Sequence, residues 1–194
     1  MNYLVHIILS GKNKELMYGN FIGDAIKGSA FLDYHKDVRK GIILHRHIDN
    51  FTDNHPLYLK SKRRFYGKID KLSGVVTDIL YDYLLWENWS YHYSFSLPDS
   101  INEAYCFLDQ KKTMMPNKIR LMYFYMRKND WLNSYRKFSG IKKAIEALSH
   151  RVGLPLDIQT FHSIYVENKA AYNHEFNEFY EAVLKSVQEF HNQY

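Results

Sequence analysis

Two segments of this chain of 194 residues carry acids and a histidine at helical spacing. In the first, His45, Asp49 and Asp53 follow one another at steps of four, and in the second Asp78 and Asp82 repeat the step. Residues four apart lie on one face of a helix. If two such faces turned toward each other, they would form an oxygen-rich cage with an imidazole, which suits a hard divalent metal.

The phase of each helix decides which side chains share a face. On the helix predicted over 36–53, His45, Asp49 and Thr52 fall on one stripe with Asp53 at its edge, whereas His47 points the other way. On the helix predicted over 72–91, the two carboxylates lie within about 40° of each other. That helix is apolar nearly all round, which predicts that both carboxylates are buried.

Burying several ionised carboxylates costs several kcal/mol each unless something compensates, and crowding raises their pKa values. Two kinds of interaction could offset this cost. Arg46, Lys27 or Arg39 could pair with the acids in a structural salt-bridge network, or a divalent metal could neutralise them. Basic side chains near the acids are few and none shares the stripe of the second helix, so the sequence favours the metal.

A third segment with polar residues runs from Asn20 to Asp24, with Gly19 directly before Asn20 and Gly23 directly before Asp24. Glycine permits close approach of the backbone to a ligand or to a neighbouring helix, and the composition here favours helix packing over chemistry. His6 lies in an apolar stretch, where a lone histidine is more often a satisfied core residue than a ligand.

Apolar residues recur at helical spacing along the chain, and the 4 Pro and 9 Gly fall at the joints between segments. There is no hairpin signal, internal repeat or linker, so the sequence predicts a single all-α domain spanning 1–194. The predicted helices are 2–8, 14–27, 36–53, 56–68, 72–91, 99–113, 117–126, 130–150 and 157–191, the last broken.

Bulk composition narrows the function classes. A net charge of +5 favours an acidic partner. The single cysteine, Cys106, excludes an internal disulfide, suits a reducing compartment and is predicted to be a small buried hydrophobe. The N-terminus lacks the pattern of a signal peptide and no apolar run is long enough to cross a bilayer, so we expect a cytoplasmic protein without membrane insertion.

Several segments, in this order and spacing, resemble the acyl-carrier-protein phosphodiesterase family. They span the first half of the chain, and the second half matches mainly in length and helical character. The segments that carry the resemblance are Asn2 to His6, Gly19 to Asp24, His45 to Asp49, Thr52 to Asn54, Asp78 to Tyr83, and Trp89 with Ser90.

The resemblance implies a fold, a reaction and a cofactor. Members of that family look like divergent relatives of the all-helical HD-domain metal-dependent phosphohydrolases. They remove the 4′-phosphopantetheine arm from holo-acyl carrier protein, leaving the apo-protein, and depend on a divalent cation, Mn²⁺ being favoured and Mg²⁺ possible. The adjacent His-Asp ligand pair of ordinary HD enzymes is replaced here by the segment from His45 to Asp49.

The implied roles of individual residues follow from these motifs. Asp53 would be a ligand or orient a ligand or the attacking water, and Arg46 or Lys27 would grip non-bridging phosphate oxygens. Acyl carrier proteins are small and acidic, and a positive rim would steer one toward the site. The implied metal ligands are Asp24, His45, Asp49, Asp78 and Asp82, with His6 a weaker member, and the rim candidates are Arg39, Lys40, Lys60, Lys62, Arg63 and Arg64.

Two other functions stay open. One is a metal phosphohydrolase of the same fold that acts on a nucleotide or another small phosphodiester. The other is a helical module that binds nucleic acid or protein and whose acids are structural. The basic and aromatic residues do not interleave as in known nucleic-acid motifs, so no nucleic-acid partner is expected.

Overall fold

A computed structural model describes residues 2–194 of the chain, and within that range every regular element is helical. The all-α prediction is therefore confirmed. Short 3₁₀ turns occur at Gly23–Ala25, Ala30–Asp33, Asp70–Leu72 and Lys112–Met114. The α-helices are α1 (Tyr3–Leu9), α2 (Lys14–Ile22), α3 (Lys36–Asn54), α4 (Pro56–Arg63), α5 (Ser73–Glu87), α6 (Trp89–His92), α7 (Leu97–Lys111), α8 (Asn117–Lys128), α9 (Trp131–Ser134), α10 (Phe138–Val152), α11 (Ile158–Glu167) and α12 (Lys169–Gln193).

Helices begin where proline and capping residues predict. Pro56 and Pro98 lie in the first turns of α4 and α7, where a missing N–H costs nothing. The Ser96 hydroxyl accepts from the Asp99 N–H, and the Asp157 carboxylate accepts from two N–H groups at the start of α11. These caps satisfy donors that a helix start otherwise leaves unpaired.

Several predicted helices are shorter or divided. The helix predicted over 14–27 ends at Ile22, and the one predicted over 130–150 separates into α9 and α10. The 72–91 and 157–191 segments break at Asn88 and Asn168, the second break having been predicted. At both breaks the asparagine Nδ2 donates to the carbonyl four residues earlier, at 2.8 Å and 2.9 Å, which satisfies a helix end.

The core is strongly aromatic, and tyrosine hydroxyls inside it have partners. The Tyr81 hydroxyl donates to Ser61 Oγ at 3.0 Å, and the Tyr123 hydroxyl donates to Asp109 at 2.7 Å. Such partners offset the cost of burying a hydroxyl. The largest fully buried side chains are Tyr58, Tyr81, Tyr105, Tyr172, Tyr180, Phe21, Phe65, Phe161, Phe176 and Phe179.

Helices α2 and α3 touch backbone to backbone. A Cβ atom on Gly19 would lie 2.0 Å from the Val38 carbonyl oxygen, and a Cβ on Gly41 would lie 2.1 Å from the Leu16 carbonyl oxygen. No side chain fits at either distance, so glycine is required at the crossing. The helix-packing role expected of Gly19 is confirmed, and the crossing places α2 against the face of α3 that carries His45.

Cys106 is exposed, so its predicted burial is wrong. Helix α7 buries Ile101, Ala104, Tyr105 and Leu108 along one stripe. Cys106 projects from the opposite side of that helix, a position that its residue type alone does not reveal. In the part of the chain that the structure describes, no helix combines the length and the apolar character needed to span a bilayer.

Candidate metal centre

His6 is held by a buried polar network in which each group has a defined role. Asn20 Nδ2 donates to the His6 carbonyl at 2.9 Å and to Ser10 Oγ at 2.9 Å, and Ser10 Oγ donates to the same carbonyl at 2.8 Å. With its amide nitrogen committed in this way, Asn20 turns Oδ1 toward His6 Nδ1, at 2.7 Å. An amide oxygen only accepts, so Nδ1 carries the proton and Nε2 carries a lone pair.

The Nε2 atom of His6 faces the Asp49 carboxylate, 3.2 Å from Oδ1. Burial lowers the pKa of His6 to about 4, so the ring is neutral near pH 7. Burial works to raise the pKa of Asp49, but hydrogen bonding, first of all from His45, outweighs burial and holds the pKa below its ordinary range. A neutral imidazole nitrogen therefore points its lone pair at an ionised carboxylate, an arrangement that a cation stabilises.

His45 completes the cluster from the adjacent turn of α3. Its ring stacks on His6 with 4.4 Å between centroids, and its Nε2 lies 3.1 Å from Asp49 Oδ2. Gly23 makes room for this ring, because a Cβ on Gly23 would lie 2.4 Å from His45 Cγ. His45 Nδ1 is buried and has no hydrogen-bond partner among residues 2–194.

These three side chains have the geometry of a metal-binding group. One atom from each of His6, His45 and Asp49 lies within 4.8 Å of the other two. Two imidazoles and a carboxylate suit Mn²⁺ and other divalent cations with mixed nitrogen and oxygen preference. Both histidines are nearly buried, but 40% of the Asp49 side chain is exposed, so the group opens to solvent on one side.

The open side faces a pocket of about 270 Å³. It lies between the end of α2, the segment after it and α3, so the crossing of α2 and α3 sets its walls. A larger depression of about 470 Å³ lies on α11, but its lining residues include no comparable cluster of imidazoles and acids. We therefore assign the candidate site to the smaller pocket. The smaller pocket is lined by Gly23, Asp24, Ile26, Lys27, Gly28, His45, Arg46 and Asp49.

Asp24 lies on the pocket wall and is bound by two lysines. Lys118 Nζ approaches Oδ2 at 3.0 Å, and Lys27 Nζ lies 3.7 Å from Oδ1. Burial alone would raise the pKa of Asp24, but the hydrogen bond and charge of Lys118, together with Lys27, lower it overall. Asp24 is therefore an ionised carboxylate at the pocket rim, and the lysine ammonium groups beside it are largely exposed.

Arg46 holds the loop that closes one side of the pocket. Its Nη2 donates to the carbonyl oxygens of Ile26 and Gly28, both at 2.9 Å, and its guanidinium lies over the Phe31 ring at 5.0 Å. Gly28 has a φ of +55°, a conformation that side chains rarely adopt. Arg46 thus fixes this turn in place, which the sequence did not indicate.

Asp78 and Asp82 are not part of the His6–His45–Asp49 group among the residues that the structure describes, and their ligand roles stay predictions. Asp78 accepts from the Tyr58 hydroxyl at 2.7 Å. Asp82 is fully buried and accepts from the N–H groups of Leu4 and Val5, at 3.4 Å and 3.3 Å. Burial raises the pKa of Asp82 to about 8, against the opposing effect of those two hydrogen bonds.

The remaining candidates on α3 follow the predicted helix phase. His47 points away from the group, its Nε2 lying 2.7 Å from Ser186 Oγ on α12, which confirms the expected orientation. Thr52 is buried on the same side as His45, and Asp53 is exposed one turn beyond Asp49.

Four of the six residues expected in the basic rim make contacts with other residues of the protein. Arg64 and Lys60 both bind the buried Glu175, with Lys60 Nζ at 3.1 Å from Oε1. Arg39 donates to the Leu32 carbonyl at 2.7 Å, and Lys40 lies over the Phe190 ring at 5.9 Å. Lys118, from the second half of the chain, binds Asp24 on the pocket wall. Sequence reasoning missed this residue because it is 94 positions from Asp24.

Comparison with known proteins gives a family match over most of the chain. The family model described as "Acyl carrier protein phosphodiesterase" matches residues 1–183. No solved structure gives a significant match.

Curated relatives have the same description. A Photorhabdus laumondii protein named "Acyl carrier protein phosphodiesterase" is 27% identical over 152 residues, which cover 78% of this chain and 77% of the relative. Proteins of the same name from Yersinia enterocolitica and Salmonella agona are each 26% identical, over 78% of this chain and 79% of their own length.

Proposed function

The chain belongs to the acyl carrier protein phosphodiesterase family, and on that premise we propose that it hydrolyses the phosphodiester joining 4′-phosphopantetheine to a serine of holo-acyl carrier protein. The products are apo-acyl carrier protein and 4′-phosphopantetheine. The observation that carries the proposal from family to chemistry is the His6–His45–Asp49 group, which opens onto a pocket large enough for a phosphate and part of its ester arm.

We propose that His6 Nε2, the Asp49 carboxylate and His45 hold one divalent cation, Mn²⁺ before Mg²⁺. The fit rests on the fixed tautomer of His6 and on the ionised state of Asp49. Such an ion, when bound, lowers the pKa of a coordinated water and offsets charge that grows on phosphoryl oxygens.

The chain's own residues have separable tasks in this proposal. Asn20 orients His6, and Gly23 leaves space for the His45 ring. Lys27 and Lys118, at the rim beside Asp24, are point charges placed to attract the non-bridging oxygens of the diester. Arg46 shapes the loop around the phosphate rather than offering its whole guanidinium to it.

Four further acids have proposed roles outside the His6–His45–Asp49 group. Asp24 lines the same pocket as the metal group, and Asp53 lies one turn beyond Asp49, from where it would orient a ligand or the water. The ligand roles of Asp78 and Asp82 stay predictions, as does the relationship to HD-domain enzymes. Asp82 instead binds the start of the helix that carries His6.

A phosphohydrolase that acts on a small phosphodiester is the second candidate, and the limited volume of the pocket is the observation that favours it. Salt dependence separates the two. A charged protein substrate gives a rate that falls steeply with ionic strength, whereas a small diester offers no large charged face.

The deciding experiment is mass spectrometry of purified holo-acyl carrier protein after incubation with this protein and Mn²⁺, with a parallel sample in chelator. Loss of the phosphopantetheine mass only in the Mn²⁺ sample supports the proposal. If the mass is unchanged while the protein binds Mn²⁺, the substrate is a different phosphoester. If the mass is unchanged and no metal binds, the chain is a binding module.

A further inference from the structure

The outward side of α8 exposes large apolar side chains. Leu121 is 61% exposed, Phe124 58% and Tyr125 49%, although the opposite side of the same helix is buried through Ile119 and Tyr123. The Phe124 and Tyr125 rings touch edge to face, with 5.3 Å between centroids. An apolar group of this kind on one short helix is typical of an interaction surface.

The charges on α8 are all of one sign. The helix contains Lys118, Arg120, Arg127 and Lys128 and no acidic residue. Arg127 is bound to Asp109 at 3.1 Å. The other three are exposed, and Lys128 lies two turns from Leu121 on the same outward stripe. A surface that combines exposed apolar groups with positive charge complements an acidic protein surface.

This surface adjoins the metal pocket. Lys118, in the first turn of α8, lies 3.0 Å from Asp24 on the pocket wall. In the proposed substrate a single methylene separates the ester oxygen from the serine Cα. The body of the carrier protein must therefore rest on the surface next to the pocket while its phosphodiester is inside.

We infer that the outward face of α8 is the docking surface for an acidic face of the protein substrate. The inference rests on the proposed function and replaces most of the basic rim expected from the sequence. Positive charge accelerates encounter, and burial of the apolar groups holds the complex in register with the pocket. The surface, called here the α8 face, consists of Lys118, Arg120, Leu121, Phe124, Tyr125 and Lys128.

The test compares two double variants with the same change in net charge. Arg120→Glu with Lys128→Glu reverses two charges on the α8 face. Lys143→Glu with Lys185→Glu reverses two exposed lysines on α10 and α12 and is the matched control. For each variant, kcat and KM are measured on holo-acyl carrier protein at low salt, and the Kd for apo-acyl carrier protein is measured by fluorescence anisotropy. Mn²⁺ affinity and the thermal midpoint report whether the site and the fold are intact.

We expect the α8 pair to raise KM and Kd by about tenfold or more, within the range of electrostatic steering, and the control pair to change them by less than about twofold. Leu121→Ser with Phe124→Ser should weaken binding without altering its salt dependence. Equal effects of the two charge pairs, or no effect of either, would overturn the docking assignment.

The outcomes distinguish docking from catalysis. If the wild-type chain binds apo-acyl carrier protein through the α8 face but does not cleave the holo form, docking stands and the proposed function fails. If it cleaves the holo form with unchanged KM in all variants, the function stands and docking fails. A wild-type dimer that Leu121→Ser with Phe124→Ser dissociates, with KM unchanged, would assign the face to a second copy of this chain instead.

Discussion

Asn20 determines which nitrogen of His6 is available to bind a ligand. Its Oδ1 lies 2.7 Å from His6 Nδ1, and its Nδ2 is fixed by the His6 carbonyl and Ser10 Oγ, so the amide cannot flip without losing two hydrogen bonds. Nδ1 therefore keeps the proton, and Nε2 faces Asp49. A buried amide of this kind acts on a metal site through its ligand rather than by contact.

Replacing Asn20 by Leu removes this control at nearly constant volume. We expect Mn²⁺ affinity and kcat/KM each to fall by about 10- to 100-fold, the usual cost of losing the partner that orients a metal-binding histidine. Isothermal titration with Mn²⁺ and steady-state kinetics measure the two effects. Asn54→Leu, at the exposed end of α3, is the matched control and should leave both values unchanged. Wild-type Mn²⁺ affinity in Asn20→Leu would show that the amide does not control His6.

His45 and His47 provide a comparison of two histidines on opposite sides of one helix. We expect His45→Ala to reduce activity by about 100-fold or more, because it removes a proposed ligand. His47→Ala loses a hydrogen bond to Ser186 and should cost about 1 kcal/mol of unfolding free energy with little change in activity. Activity assays and urea denaturation measure the two effects. Equal losses of activity would mean that His47 has a catalytic role that the geometry does not provide.

Gly23→Ala tests whether the His45 ring needs the space beside it. The added Cβ would lie 2.4 Å from His45 Cγ, so the imidazole or the backbone that carries it must shift from its present position. We expect kcat/KM to fall by about tenfold or more, since displacement of a catalytic group by about an ångström has a large effect on rate.

Gly74→Ala is the control for this substitution. Its Cβ would meet no atom closer than 3.6 Å, and alanine is the better helix former, so stability should rise by up to about 1 kcal/mol with activity unchanged. Equal activity of Gly23→Ala and wild type would show that His45 is free to adjust.

Asp82→Asn tests the buried carboxylate at the start of α1. The pKa of Asp82 is raised from 3.8 to about 8, so between these values the folded protein keeps a proton that the unfolded chain has released. The wild-type free energy of unfolding should therefore fall, relative to Asp82→Asn, by up to about 1.4 kcal/mol per pH unit as pH rises toward 8. Below about pH 4 both states are protonated, and the difference in free energy of unfolding between the two proteins no longer changes with pH.

Urea denaturation in chelator over this pH range measures the effect of Asp82. Stability curves that run parallel, or a wild-type free energy of unfolding that rises relative to that of Asp82→Asn as pH rises, would contradict the raised pKa. The same variants titrated with Mn²⁺ address the predicted ligand role. A large loss of affinity in Asp82→Asn would make Asp82 a ligand, and near-normal affinity would leave it as a residue that positions α1.

The phase of α3 and the helix starts could be predicted from the sequence because both are local properties. His45 and Asp49 share a face and His47 does not, as the step of 100° per residue requires. Pro56 and Pro98 mark helix starts for a reason confined to the first turn. These features depend only on neighbours within a few residues.

The partner of each face could not be predicted in the same way. Helical spacing showed that Asp78 and Asp82 lie near each other, but not that Tyr58 and the first turn of α1 would meet them. The pairing of Lys118 with Asp24 likewise depends on how distant helices pack, and no local pattern carries that information. The binding of Arg64 to the buried Glu175, which lies on the last helix, could not be predicted for the same reason.

The contact of α2 with α3 at Gly19 and Gly41 has a consequence for how the site forms during folding. His6 is 14 positions from Asn20 and 43 positions from Asp49 in the sequence. The chain segments that must close to bring these residues together are therefore short. Each doubling of loop length adds only about 0.6 kcal/mol to the entropic cost of closing the loop. The contacts of α1 with α2 and of α2 with α3 can form before α7 to α12 are synthesised. We therefore expect this part of the proposed metal centre to form from contacts of short sequence separation, whereas the later helices add the surface proposed to meet the partner.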